Sequence, residues 1–199
     1  MAEMGRPPLT ERRKAATRLE VAREAVRLFT SKGVAGTSAE EIAAAAGISV
    51  RTLWRYFPSK ESCVWPLLAA GLQNLAQSLR DWPPGRDVAA MLEEGMDTGT
   101  DDLPAMLALI RLTRTEPGLR AVWLRSHDDA EPVLVAAIAE RSGLSEDDLT
   151  VRVRAGVINS ALRVAVEQHA LRGPGDPDGD ALVRVVREAL RIAADGIPD

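Results

Sequence analysis

Arg51 and Arg55 stand four residues apart, with Thr52, Trp54 and Tyr56 around them and Lys60 just beyond. These are residue types that can read a nucleic acid. An arginine can give two parallel hydrogen bonds to a guanine edge, while hydroxyls and lysine can hold phosphate oxygens. At roughly 100° per residue, Leu53 and Phe57 share one helix face, and each arginine lies roughly 160° from Leu53. The two guanidinium groups therefore point together, away from whatever Leu53 and Phe57 pack against. The set expected to meet DNA is Thr37, Ser38, Ser49, Arg51, Thr52, Trp54, Arg55, Tyr56 and Lys60. Two arginines alone describe any solvated helix surface. The stronger argument is what surrounds them.

The surrounding stretch, residues 36–60, predicts two short helices and a tight turn. Ser38 is placed to cap the first, with Glu41 three positions later as its reciprocal partner. Ile42, Ala43 and Ala46 make the inward face. Gly47 ends that helix, because glycine enters the left-handed region without a steric cost. Ser49 caps the second helix, and Ile48 is placed to staple onto Leu53. Two helices joined this way form a helix-turn-helix, whose second helix enters the major groove.

This stretch resembles the DNA-binding domain of TetR-type transcriptional regulators. The resemblance runs through Gly33 to Ser38, Ile42-Ala43, Ala46-Gly47-Ile48-Ser49, Thr52 to Phe57 and Lys60-Glu61. Trp54 stands where tyrosine is usual, which keeps the aromatic body and removes the phenolic hydroxyl. The resemblance implies an N-terminal three-helix DNA-binding domain. It also implies a helical C-terminal domain that binds an effector and dimerises.

Charge supports the same division. The 199-residue chain has a net charge of −4, but residues 1–60 carry +5 and residues 61–199 carry −9. Only the first third is suited to meet a polyanion. The composition, 46% hydrophobic and 27% charged, is that of an ordinary soluble protein. A single cysteine, Cys63, excludes an internal disulfide and fits a reducing cytoplasm. The longest apolar run, Val133 to Ala139, is too short to cross a bilayer.

Periodicity and breakers predict an all-α chain of about nine helices, with domains at 1–59 and 60–199. The first helix, about 10–32, carries the stripe Leu19, Ala22, Val26 and Phe29. Ser59 caps a fourth, about 60–80, with Leu68, Leu72, Leu75 and Leu79 along one side. Lys60 in its first turn suits a phosphate. This helix joins both halves and is the expected lever between them. Further helices are expected at about 87–98, 103–115, 118–141 (kinked near Pro132), 146–171 (capped by Ser145 with Asp148) and 180–195. The last two are apolar on more than one side, or rich in small residues. They are expected to form a four-helix contact between two copies, although burial within one copy would use the same pattern. A two-fold dimer would offer two reading helices to an inverted-repeat operator.

The body gives weaker signals. Met91, Met96, Met106 and Ile110 could line an adaptable cavity, or simply fill a core. Trp123 fits either role. Arg152, Asn159, Arg163 and Glu167 make a polar stripe, in which Arg163 could hold an acidic effector and Asn159 orient it, or which could face solvent. His127 reads as part of a polar helix surface, and His169 as a cation near a helix end. No metal motif, cofactor loop or nucleophile with a paired base is present, so neither catalysis nor a cofactor is expected. The leading expectation is a cytoplasmic dimeric repressor, released from DNA by a small-molecule effector. The alternatives are a ligand-responsive activator and an all-helical protein-interaction module.

Overall fold

The computed structural model describes residues 9–81, Pro83, 102–172 and 179–195. The described residues are all-helical and contain no strand. The chain divides into two compact units, Met1–Leu67 and Leu68–Asp199. Eight α-helices are described; the helix expected at about 87–98 lies outside the described residues.

The first unit is built on α1 (Leu9–Lys32). Its buried face is Val21, Ala22, Ala25, Val26 and Phe29. Leu19, expected on that face, is only half-buried, and Val21 and Ala25 complete the stripe instead. The Gly33 amide donates to the Phe29 carbonyl at 3.0 Å and closes the helix. Helix α2 (Ala39–Ala45) then opens on a complete capping box. The Glu41 amide donates to Ser38 Oγ at 3.2 Å, and the Ser38 amide donates to Glu41 Oε2 at 2.8 Å. Gly47 adopts φ 66°, and the Ile48 amide folds back onto the Ala43 carbonyl at 2.9 Å. That reversal needs positive φ, which costs a side-chain-bearing residue on the order of 1 kcal/mol. Helix α3 (Val50–Tyr56) starts at Ser49, whose hydroxyl accepts the Thr52 amide at 3.1 Å. Leu53 and Phe57 are buried, as their spacing requires.

Beyond α3 the chain does not enter a helix directly at Lys60. A 3-10 turn, Glu61–Val64, precedes α4 (Trp65–Asp81). Ser59 and Ser62 cap one another there: the Ser62 amide donates to Ser59 Oγ at 3.1 Å, and the Ser59 amide donates to Ser62 Oγ at 3.0 Å. Cys63 is buried under this turn; burial, with the Glu61 carboxylate adding, pushes its thiol pKa up to about 12.

The second unit contains the remainder of α4, α5 (Leu103–Leu112), α6 (Pro117–Ser142), α7 (Leu149–Leu171) and α8 (Gly179–Asp195). Leu68 and Leu72 of α4 are buried; the side chains of Leu75 and Leu79 are outside the described set. Helix α6 continues through Pro132 to Gly143. Helix α7 begins later than expected. Asp148 is its cap, accepting the Thr150 amide at 2.7 Å, while Ser145 closes the preceding turn by accepting the Asp147 amide. Leu109, Ile110, Leu119, Leu134, Val151 and Ala155 are all at 1% exposure or less and mark the centre of this unit. Burying each large aliphatic side chain contributes roughly 1.5–3 kcal/mol.

Candidate nucleic-acid interface and ligand-binding body

The outer face of α3 carries Arg51, Trp54 and Arg55, all exposed, with Thr52 and Tyr56 half-buried on its flank. Trp54 leaves 47% of its surface in solvent. Tyr56 lies between two guanidinium groups. Arg55 sits 5.1 Å from its ring centroid, and Arg18, reaching across from α1, sits at 5.2 Å. Each cation-π contact favours one arrangement of these long side chains, by roughly 0.5–1 kcal/mol at an exposed site. Arg18 was not expected here. It lies far away in sequence, and nothing in its local spacing marks it.

Ser38 and Ser49 accept backbone amides as caps. Thr52 Oγ1 lies 2.9 Å from Ser49 Oγ. Two members of the expected set are used differently. Thr37 is only 2% exposed, and its hydroxyl donates to the Gly33 carbonyl at 2.8 Å. It holds the turn between α1 and α2 and is not on the surface. The Lys60 ammonium donates to the Val34 and Thr37 carbonyls at 2.7 and 3.0 Å. It ties that same turn to the end of the helix-turn-helix, and is not held out toward a phosphate. The physical reason is shared. The α1–α2 turn leaves buried carbonyls without helical partners, and a hydroxyl and an ammonium satisfy them.

In the second unit, Trp123, Asn159 and Arg163 converge, and His127 joins them. His127 is 5% exposed, which corrects its reading as polar surface. Its Nδ1 lies 2.6 Å from Asn159 Oδ1, and the Asn159 amide group donates back to the His127 carbonyl at 2.9 Å. The Trp123 ring meets the imidazole edge-on at 4.3 Å between centroids. The Trp123 indole donates to Glu167 Oε1 at 2.7 Å, and Arg120 and Arg163 reach the same oxygen at 2.5 and 3.4 Å. Burial opposes the Glu167 charge, yet the indole and Arg120 hold its pKa below the usual carboxylate value. Burial also holds the His127 pKa below its ordinary value, against the Asn159 hydrogen bond.

These contacts revise the expected polar stripe. Asn159 and Arg163 have partners within the fold, so neither stands ready to receive an acidic effector, and Arg152 is exposed and apart. Ile110 lines a recess of about 330 Å³ with Thr113, Arg114, Arg120, Glu167 and Leu171. Met106 is half-buried beside Gly71, and Met91 and Met96 lie outside the described residues. His169 lies in the last turn of α7, near the helix end as expected, and is 5% exposed. It lines a groove of about 980 Å³ between α7 and α8. Val153, Val157, Val164 and Ile192, all exposed, give this groove an apolar rim. Among the described residues, no cluster of three potential metal ligands occurs, and no helix is long and apolar enough to cross a membrane.

Comparison with known proteins places both units. The profile described as "Bacterial regulatory proteins, tetR family" matches residues 22–64, and that described as "MftR C-terminal domain" matches residues 82–198. The HTH-type transcriptional regulator TcmR of Streptomyces glaucescens is 32% identical over 196 residues, covering 92% of this chain and 85% of that protein. The HTH-type transcriptional repressor KstR2 of Rhodococcus jostii is 31% identical over 194 residues, covering 92% of each. Two solved structures share the fold. Thermus thermophilus FadR in complex with lauroyl-CoA has a TM-score of 0.56 at 21% identity, covering 92% of this chain and 95% of that one. Bacillus subtilis FadR in complex with stearoyl-CoA has a TM-score of 0.57 at 17% identity, covering 90% and 99%.

Proposed function

The chain belongs to the TetR family of bacterial regulatory proteins, and we propose that it acts as a dimeric repressor in the cytoplasm, released from an inverted-repeat operator by a small-molecule effector. The observation that carries this reading is the outer face of α3. Arg51 and Arg55 project from a helix fixed on its other side by Leu53 and Phe57, behind a capped turn. Donors held in one direction on a rigid helix can register with base edges. The basic first third of the chain favours the approach to DNA, and the acidic remainder does not compete for it.

Dimerisation would occur through α7 and α8, whose shared face carries the apolar rim described above. A two-fold axis there would pair like helices and present two α3 helices to two half-sites. The effector would bind in the second unit. It would release DNA only to the extent that it binds the DNA-free state more tightly than the DNA-bound one. The repressor sense follows the reading of KstR2 as a repressor.

A shift assay on the DNA upstream of the protein's own gene, run at several salt concentrations, tests the reading. Specific retardation that weakens steeply with salt is expected. Retardation of all DNAs alike, or of none, would remove the claim of operator recognition.

A further inference from the structure

The strongest unassigned feature of the second unit is one nitrogen. His127 Nε2 is buried and has no hydrogen-bond partner among the described residues. We propose that this atom is the acceptor for a hydroxyl or N–H group on an uncharged effector, so that the regulator recognises an alcohol, a phenol or an amide and not an acid. The proposal rests on the ligand-responsive reading given above and names the chemistry of its site.

The geometry fixes which kind of partner Nε2 can take. The His127 main-chain carbonyl can only accept, so the Asn159 group 2.9 Å from it is the NH2. That sets the amide the other way round at Nδ1, where Asn159 Oδ1 lies at 2.6 Å. A carbonyl oxygen cannot donate, so Nδ1 must carry the proton. In a neutral imidazole, Nε2 then holds the lone pair. Neutrality follows from burial, which holds the His127 pKa below its ordinary value against the Asn159 hydrogen bond, with Arg163 and Arg120 adding to burial and Glu167 opposing it. The site therefore offers one fixed acceptor and asks for one donor.

Among the described residues, no neighbour donates to Nε2. The Trp123 indole donates to Glu167, as does one guanidinium nitrogen each of Arg120 and Arg163, and the Ser126 hydroxyl donates to the Trp123 carbonyl. An ionised carboxylate would set lone pairs against a lone pair. An ammonium would have to enter a buried place that faces two guanidinium groups. An uncharged donor meets neither obstacle. Because the acceptor is held by Asn159 of α7 while sitting on α6, a ligand bound there touches the joint between those two helices.

The test uses the full-length protein labelled with ¹⁵N-histidine, and phenol and toluene as probes matched in size but not in donor. The chain has two histidines, so the His127 resonances are assigned by their loss in His127→Gln. The free protein should show a protonated Nδ1 and a bare, unbonded Nε2. Phenol should move the Nε2 resonance in the direction of hydrogen bonding, and toluene should not. His127→Phe should weaken phenol binding roughly tenfold, the loss of about one hydrogen bond. A proton on Nε2, an Nε2 already bonded to water and unmoved by phenol, or equal responses to the two probes would each overturn the proposal. So would unchanged phenol affinity in His127→Phe. If that variant fails to fold, the resonances of the unaltered protein decide the matter. The same preparation is tested for retardation of the upstream DNA. Loss of retardation counts against the regulator reading and leaves the histidine result standing.

Discussion

Arg55 holds two positions at once: it packs beside the Tyr56 ring and projects from the outer face of α3. Truncating it therefore removes a donor and loosens Tyr56, whereas Arg51→Ala removes a donor only. Each change is expected to weaken operator binding by roughly 1–3 kcal/mol, measured by fluorescence anisotropy at fixed salt. If neither variant weakens specific binding, the reading face of α3 has been assigned wrongly. His127 makes a second prediction, on pH. Its folded pKa lies below the unfolded value of about 6.5, so the unfolded chain binds the proton more readily. Stability is therefore full above that value and falls as pH drops below it. The Glu167 pKa is also lowered, which adds a further loss as pH falls through the carboxylate range. Urea midpoints from pH 8 to pH 5 should decline in the unaltered protein and decline less in His127→Gln.

Among the elements, α2 and α3 have only seven residues each, too short to be stable alone. Their ends matter correspondingly more. Ser38 and Ser49 each satisfy a backbone amide that the helix cannot, and Glu41 returns the favour at Ser38. Ser49→Ala is expected to cost about 1 kcal/mol of stability, seen as a lower thermal midpoint, without changing the outward direction of Arg51 and Arg55. The Lys60 ammonium has a comparable part at the α1–α2 turn. Lys60→Met keeps the apolar stem but removes the ammonium from the Thr37 carbonyl and leaves the Val34 carbonyl with the Thr37 amide alone. Its effect should appear as lost stability, about 1–3 kcal/mol. A variant of unchanged stability that binds DNA less well would restore Lys60 as a phosphate contact.

For the whole molecule, the exposed valines of α7 matter most. Val153, Val157 and Val164 are each more than two-fifths exposed on one rim of the α7–α8 groove, with Ile192 across from them. A stable dimer would bury this rim, and a carboxylate placed in it would be desolvated without a partner. Val157→Asp or Val164→Asp should therefore shift the protein from dimer to monomer in light scattering. Operator affinity should fall with it, because one reading helix alone reaches only one half-site. A variant that stays dimeric would move the interface elsewhere.

Local signals in the sequence determined the all-α class, the helix-turn-helix and the outward face of α3. Caps, breakers and helical period act within a few residues, so Ser38, Gly47, Ser49 and the Leu53–Phe57 pair could be read directly. Tertiary structure decided the rest. It turned Thr37 and Lys60 inward, brought Arg18 to Tyr56, completed the α1 stripe with Val21 and Ala25, and buried His127 against Asn159. Each of these joins groups on different elements or around a turn, where periodicity says which face a residue occupies but not what lies opposite. The buried carbonyls of a turn, or a lone pair inside a helix joint, come into being only when the elements pack. The side chains that answer them are chosen by reach and by hydrogen-bond type, and sequence spacing encodes neither.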